Sequence, residues 1–156
     1  MILLLMLLAV AQGDKLPPAN PVPLDTSAET AVLAPINALF ASFENGDAAA
    51  MLRQVYPEGR VSAIGPRRDG AQDLRQESWT KFAERIKPGS GFQERIWDPA
   101  IDIDGDIAMV WASYDVSVAG KVTNCGVDHF DLIREGGAWK VMNLTFSSRT
   151  TGCDGK

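Results

Sequence analysis

Histidine and cysteine are scarce in this 156-residue chain, which has one of the first and two of the second. A histidine-rich metal centre is thereby excluded, and two cysteines alone do not build a structural zinc site. No metal and no cofactor are expected. Positive charge is also short: 15 Lys and Arg against 20 Asp and Glu leave a net charge of −5. Nucleic acid and anionic membranes both require a basic face, so neither is an expected partner. The long apolar run of a membrane span is missing too. The first residues, MILLLMLLAVAQG, are apolar for only about ten positions, fewer than the roughly 20 a spanning helix needs. No Lys or Arg precedes that run, although Ala9-Val10-Ala11 has the small-x-small pattern of a secretory cleavage site. The expectation is a signal peptide over residues 1–11, cleavage near Ala11 and a periplasmic or secreted product that leaves the membrane. The alternative is a frayed apolar N-terminus. No cysteine follows the run, so no lipid anchor is expected.

The remaining composition, 46% apolar and 22% charged, is that of one globular domain rather than a disordered chain. Residues 12–26 form a linker, because the four prolines of KLPPANPVPLD cannot hold a helix. The domain is expected over 27–153, with a tail at 154–156. Thr26 and Glu29 have capping-box spacing, and Val32, Ile36, Leu39, Phe40 and Phe43 follow as one helical stripe. Pro35 inside that stripe predicts a kink or a late start. Gly46 ends this helix, and Asp47 caps a second over Ala48 to Gln54. Tyr56 to Gly59 is a turn and Arg60 to Ile64 a short strand. The GPRRDG loop holds Arg67 and Arg68, whose basic pair could bind an anion or form a solvated loop tip. Glu77 to Lys87 reads as a third helix carrying Trp79, Phe82, Ala83 and Ile86.

Four strands then follow: Phe92 to Ile103, Ile107 to Val118, Lys121 to Arg134 and Ala138 to Ser148. Their short turns, Asp104-Gly105, Ala119-Gly120 and Gly136-Gly137, impose antiparallel neighbours. Helices first and a meander after is the order of an α+β domain. If each turn is tight, Asp98, Trp111, Asp128 and Thr145 share one row. Ala100, Met109, Phe130 and Asn143 share the next. Asp102, Ile107, Leu132 and Val141 follow, all on one face with a greasy floor and a few polar groups, as a ligand cavity needs. The other face carries Trp97, Val110, Val127, His129, Leu144 and Phe146, apolar enough to predict a homodimer partner. His129 reads as an interface residue there, unless a bulge near Gly126 reverses its face.

These residues resemble the NTF2-like superfamily, a cone-shaped α+β barrel with three N-terminal helices packed on a strongly curved, mainly antiparallel sheet. Within it the chain is most similar to the lumazine-binding and SnoaL-like group. The resemblance rests on Phe43-Glu44-Asn45-Gly46-Asp47, Tyr56-Pro57-x-Gly59-Arg60, Trp111-Ala112-x-Tyr114-Asp115 and Cys125-Gly126-Val127-Asp128-x-Phe130-x-Leu132, followed by Trp139-Lys140-Val141. Val127-Asp128-His129-Phe130 is also similar to the ketosteroid isomerase strand that carries a neutral, hydrogen-bond-donating aspartic acid. On that resemblance the isomerase tyrosine falls near Leu39 and its general base near Ile64. Neither residue moves a proton, so steroid isomerisation is not expected.

Three roles are open to Asp128: catalytic acid or oxyanion donor, ligand-orienting group, or structural carboxylate tied to Thr145 or a backbone amide. Asp98, roughly 10 Å away across two strand spacings, could pair with it around a water, although Pro99 favours a sheet edge. Trp79, Tyr56 and Trp111 could stack on a flat ligand or pack in the core. With Thr145, Asn143, Phe130, Met109, Leu39 and Phe43, these and Asp128 form the expected ligand site. Cys125 falls opposite Ser148, close to where a returning tail brings Cys153, and an exported domain favours a disulfide between them. The expected function is binding of a small hydrophobic or heterocyclic molecule without turnover. The alternatives are a SnoaL-like or ketosteroid-isomerase-like enzyme using Asp128, and a dimeric interaction module.

Overall fold

The computed structural model describes residues 26–67 and 69–153. The expected signal segment, the linker up to residue 25, Arg68 and the tail at 154–156 lie outside the described residues. Three helices, α1 (Thr26–Asn45), α2 (Ala48–Arg53) and α3 (Trp79–Ala83), accompany six strands. The strands are β1 (Arg60–Pro66), β2 (Gln72–Ser78), β3 (Phe92–Asp104), β4 (Ile107–Val118), β5 (Lys121–Glu135) and β6 (Ala138–Ser147). They form one sheet in the order β2-β1-β6-β5-β4-β3, antiparallel except where β1 runs parallel to β6.

The stripe read from α1 is the centre of the core. Val32, Ile36, Leu39, Phe40 and Phe43 are all buried and meet Val110, Phe130, Leu132, Val141 and Leu144 of the sheet. Each such side chain contributes about 2 kcal/mol by leaving water. The helix runs through Pro35, which is itself buried. One missing backbone hydrogen bond is offset by the packing of the whole face. Gly46 terminates α1 with φ +66°, and a Cβ there would lie 2.2 Å from the Pro88 nitrogen. Glycine is therefore required both by backbone conformation and by the close approach of the α3 loop. Asp47 caps α2 as expected, accepting from the Ala50 amide at 2.8 Å.

The third helix is shorter than its pattern suggests at both ends: β2 takes residues 72–78, with the Ser78 hydroxyl capping α3 by accepting from the Lys81 amide, and after Ala83 the Glu84, Arg85 and Ile86 amides donate three residues back. This strand has little apolar content and is largely exposed, so it carries no periodic signal. Backbone pairing with β1 holds it in place.

Three irregularities shape the sheet. β5 gains one residue against β4 at Thr123, between the pairs Val116↔Asn124 and Ser117↔Val122. β6 gains Met142 against β5, and β3 is interrupted between Trp97 and Ala100, where Asp98 has φ +49°. Such bulges bend strands and increase their twist, which is how a sheet wraps around helices on one side.

The bulges correct the expected register. Trp111 pairs with Ala100 and His129, and His129 with Thr145. Asp128 instead sits between Ala112 and Phe146. Since side chains alternate, Ala100, Asp102, Met109, Trp111, Asn143 and Thr145 move to the outer face, while Asp98 falls in the β3 interruption, exposed and without a strand partner. Val110, Leu144 and Phe146, expected outside, move to the inner one. Asp128, Phe130, Leu132 and Val141 stay inside and His129 stays outside, since the bulge lies at Thr123 and not in the stretch between Gly126 and His129.

Candidate functional site

The inner faces of β3 to β6, the end of α1 and the segment from Phe82 to Ser90 enclose a cavity of about 280 Å³. Its walls are mostly rings: Phe43 from α1, Phe82 from α3, Phe92 from β3, Tyr114 from β4 and Phe146 from β6. Phe43 makes a tilted contact with Phe82 and an edge contact with Phe92, and Tyr114 meets Phe146 edge-on at 6.0 Å between centroids. The rings thus brace one another and keep the space open. Arg85, Lys87 and Ser90 are exposed and form the rim; Arg85 lies over the Phe82 ring and is held by both oxygens of Glu77. A second cavity of about 240 Å³ shares Phe82, Arg85, Asn124 and Phe146 and extends toward Val61, Arg75 and Ser148.

Polar groups on the inner wall are few. The Tyr114 hydroxyl donates to the Ser147 carbonyl at 2.9 Å, and burial pushes its pKa up, with Asp128 and Glu94 adding to the effect. Asn124 has a buried side-chain oxygen without a hydrogen-bond partner. Glu94 is half-buried on the cavity wall, and desolvation raises its carboxyl to about 8. Asp128 is completely buried, and neither carboxylate oxygen has a partner. Burial, reinforced by Glu94, holds it well above the ordinary carboxylate range. Both acids are therefore pushed toward their protonated forms. A buried carboxyl with no partner pays for desolvation most cheaply by keeping its proton.

The expected site residues divide into four groups. Phe43 lines the cavity. Asp128 lies beside Phe146 but is not itself on the cavity wall. Phe130, Leu39 and Trp79 are core residues with at most a trace of exposure; the Trp79 indole donates to the Met142 carbonyl at 2.9 Å. Trp111, Met109, Asn143, Thr145 and Tyr56 are elsewhere. The first four are on the outer face, and the Tyr56 hydroxyl donates to Glu135 near the β5–β6 turn. The tie between Asp128 and Thr145 is absent, because the bulges put Phe146 opposite Asp128. Cys125 and Cys153 form a disulfide with Cα atoms 5.5 Å apart. The backbone partner of Cys125 is Arg149, one residue beyond the expected Ser148.

Sequence reasoning missed Glu94, Tyr114, Asn124 and Phe92 as lining residues. The alternation of Ala108, Val110, Ala112, Tyr114 and Val116 along β4 is the signal that identifies its inward face. All five are buried, whereas Met109 and Trp111 between them are exposed. On the outer face Ile64, Leu74, Ile107, Met109 and Trp111 are exposed apolar side chains, with Trp111 stacked near His129. Among the described residues no group of three or more His, Cys, Asp or Glu is placed to hold a metal ion. None of the described helices is long and apolar enough to cross a membrane.

Residues 27–147 match the family described as "Putative lumazine-binding". No curated protein matches. Among solved structures, an NTF2-like protein of unknown function from Shewanella baltica is 17% identical, with 80% of this chain and 96% of that chain covered and a TM-score of 0.59. A putative dehydratase of the NTF2-like family from Streptomyces avermitilis is 18% identical, with 80% and 97% covered and a TM-score of 0.61. The beta subunit of a putative aromatic-ring-hydroxylating dioxygenase from Novosphingobium aromaticivorans is 15% identical, with 80% and 91% covered and a TM-score of 0.65. At these identities the likeness is one of fold.

Proposed function

Because this chain belongs to the family described as putative lumazine-binding and has the NTF2-like fold, we propose that it is an exported protein that binds a small hydrophobic or heterocyclic molecule without turning it over. The observation that carries this reading is the aromatic cavity, whose rings offer flat faces to a flat ligand. The binding residues are Phe43, Phe82, Phe92, Glu94, Tyr114, Asn124 and Phe146. Asp128 supports the wall from behind Phe146 as a buried group.

Two further parts of the reading rest on chemistry outside the cavity. The disulfide suits an oxidising compartment, consistent with export after removal of residues 1–11. The exposed Ile107, Met109 and Trp111 suit a homodimer through the outer sheet face, because a water-facing sheet does not otherwise collect such side chains. An enzymatic reading has one observation in its favour, the buried and unpartnered Asp128 carboxyl, whose environment resembles that of an acid or oxyanion donor. It also needs that carboxyl to reach a substrate, and Asp128 is not on the cavity wall.

Native mass spectrometry of the protein purified from its own secreted or periplasmic fraction tests the proposal. The expected result is a processed, disulfide-bonded dimer retaining a small molecule. An unprocessed chain with free thiols would remove the export reading. A ligand-free protein that also fails to take up indole or other flat aromatic molecules would remove the binding one.

A further inference from the structure

Two polar side chains stand out on the cavity wall. Glu94 lines it, and the Asn124 side-chain oxygen is a buried acceptor with no hydrogen bond within the protein. Asp128, off the cavity wall, has two further side-chain oxygens without a partner. The Tyr114 hydroxyl on the wall already donates its proton to the Ser147 carbonyl. The cations that line the cavity, Arg85 and Lys87, stand at its rim, and Arg85 is bonded to Glu77. The Glu94 carboxyl thus lines a low-dielectric space surrounded by aromatic faces.

We propose that the cavity takes an amine, with its ring or chain against Phe43, Phe92 and Phe146 and its ammonium group on Glu94 and the Asn124 oxygen. This inference rests on the cavity reading above and adds the chemical class of the ligand. An ammonium group donates to the Asn124 oxygen and, once Glu94 gives up its proton, pairs with the carboxylate. Ring faces around it add cation–π attraction, which is strongest where water is excluded. A carboxylate ligand would be oriented the other way, toward Arg85 and Lys87 at the rim, and would leave the inner acceptors unpaired.

Proton exchange gives this arrangement a signature. Desolvation keeps Glu94 protonated in the empty cavity up to about pH 8. Pairing with an ammonium ion requires the carboxylate, so binding at pH 7 releases a proton to solvent. Affinity for the amine therefore rises with pH as far as about pH 8 and then levels off.

The experiment is isothermal titration of the wild-type protein and Glu94→Gln with three indoles that share one ring: tryptamine (cation), tryptophol (neutral) and indole-3-acetate (anion), in buffers of different ionisation enthalpy. Tryptamine is expected to bind wild type about tenfold more tightly than tryptophol, the value of one charge-assisted hydrogen bond. It is expected to release a proton at pH 7 and to lose its advantage in Glu94→Gln while tryptophol binding persists. Equal binding of the three, or tighter binding of indole-3-acetate, would overturn the amine assignment and leave the cavity reading standing. No binding of any of the three would overturn both.

Discussion

Replacing Asp128 with asparagine is expected to make the protein more stable at neutral pH, and the gain should grow as pH rises. Asparagine keeps the shape of the side chain and cannot ionise. In the unfolded chain the aspartate loses its proton near pH 4. In the folded chain burial among Ala112, Phe146 and Phe130, with Glu94 close enough to add its effect, keeps the proton on well above that. Over this interval the folded state binds the extra proton, so wild-type stability falls by about 1.4 kcal/mol per pH unit for this one group. The loss begins at the unfolded pKa and ends at the folded one. Glu94 contributes a second decline between its ordinary value of 4.5 and about 8. Urea unfolding from pH 4 to pH 8 measures both: the curve for Asp128→Asn should be flatter than that of wild type by the share of one carboxyl. Parallel curves would mean that Asp128 is ionised and partnered when folded.

The second large effect is expected from the disulfide. Cys125 and Cys153 are 28 residues apart in sequence, and closing a loop of that size limits the unfolded chain by about 3 to 4 kcal/mol of stability. That is a large fraction of the roughly 5–15 kcal/mol by which a domain is normally held. The bond also fixes the segment after β6 to β5, where Cys125 and Arg149 exchange both backbone hydrogen bonds at 3.0 Å. Cys125 is flanked by Asn124, which lines the cavity, and by Gly126, where a Cβ would lie 1.9 Å from the Ser147 carbonyl oxygen. Reduction, or Cys153→Ser, should therefore lower the thermal midpoint and weaken binding together. A variant that loses stability but binds indole as well as wild type would show that the tail does not shape the cavity.

Much of this fold is legible in the residues. The apolar stripe of α1 is unambiguous, because only a helix places Val32, Ile36, Leu39, Phe40 and Phe43 on one side. Gly46, Asp47 and the three meander turns mark boundaries that agree with the structure to within a residue or two. The register is less legible, since a hairpin transmits its turn only until the first bulge. Thr123 and Met142 look like ordinary strand residues, yet each shifts the pairing by one. That shift is why Trp111, Met109, Asn143 and Thr145 face outward while Tyr114, Phe146 and Glu94 surround the cavity. Strand β2 is hidden for another reason: it is paired along its backbone and buries little, so hydrophobic periodicity does not record it. Asp128 is buried on the inner face as read, although the row of Trp111 and Thr145 that placed it there faces outward. Its separation from the cavity wall depends on Phe146, whose location only the β6 bulge decides.

The central claim is that the inner cavity, and not the apolar outer face, is where a small molecule binds. Titrating indole into isotope-labelled protein and following the backbone amide resonances tests it most directly. Shifts concentrated at Phe92, Glu94, Tyr114, Asn124 and Phe146, saturating together, are the predicted result. Shifts confined to Met109, Trp111 and His129, or none at millimolar indole, would contradict it.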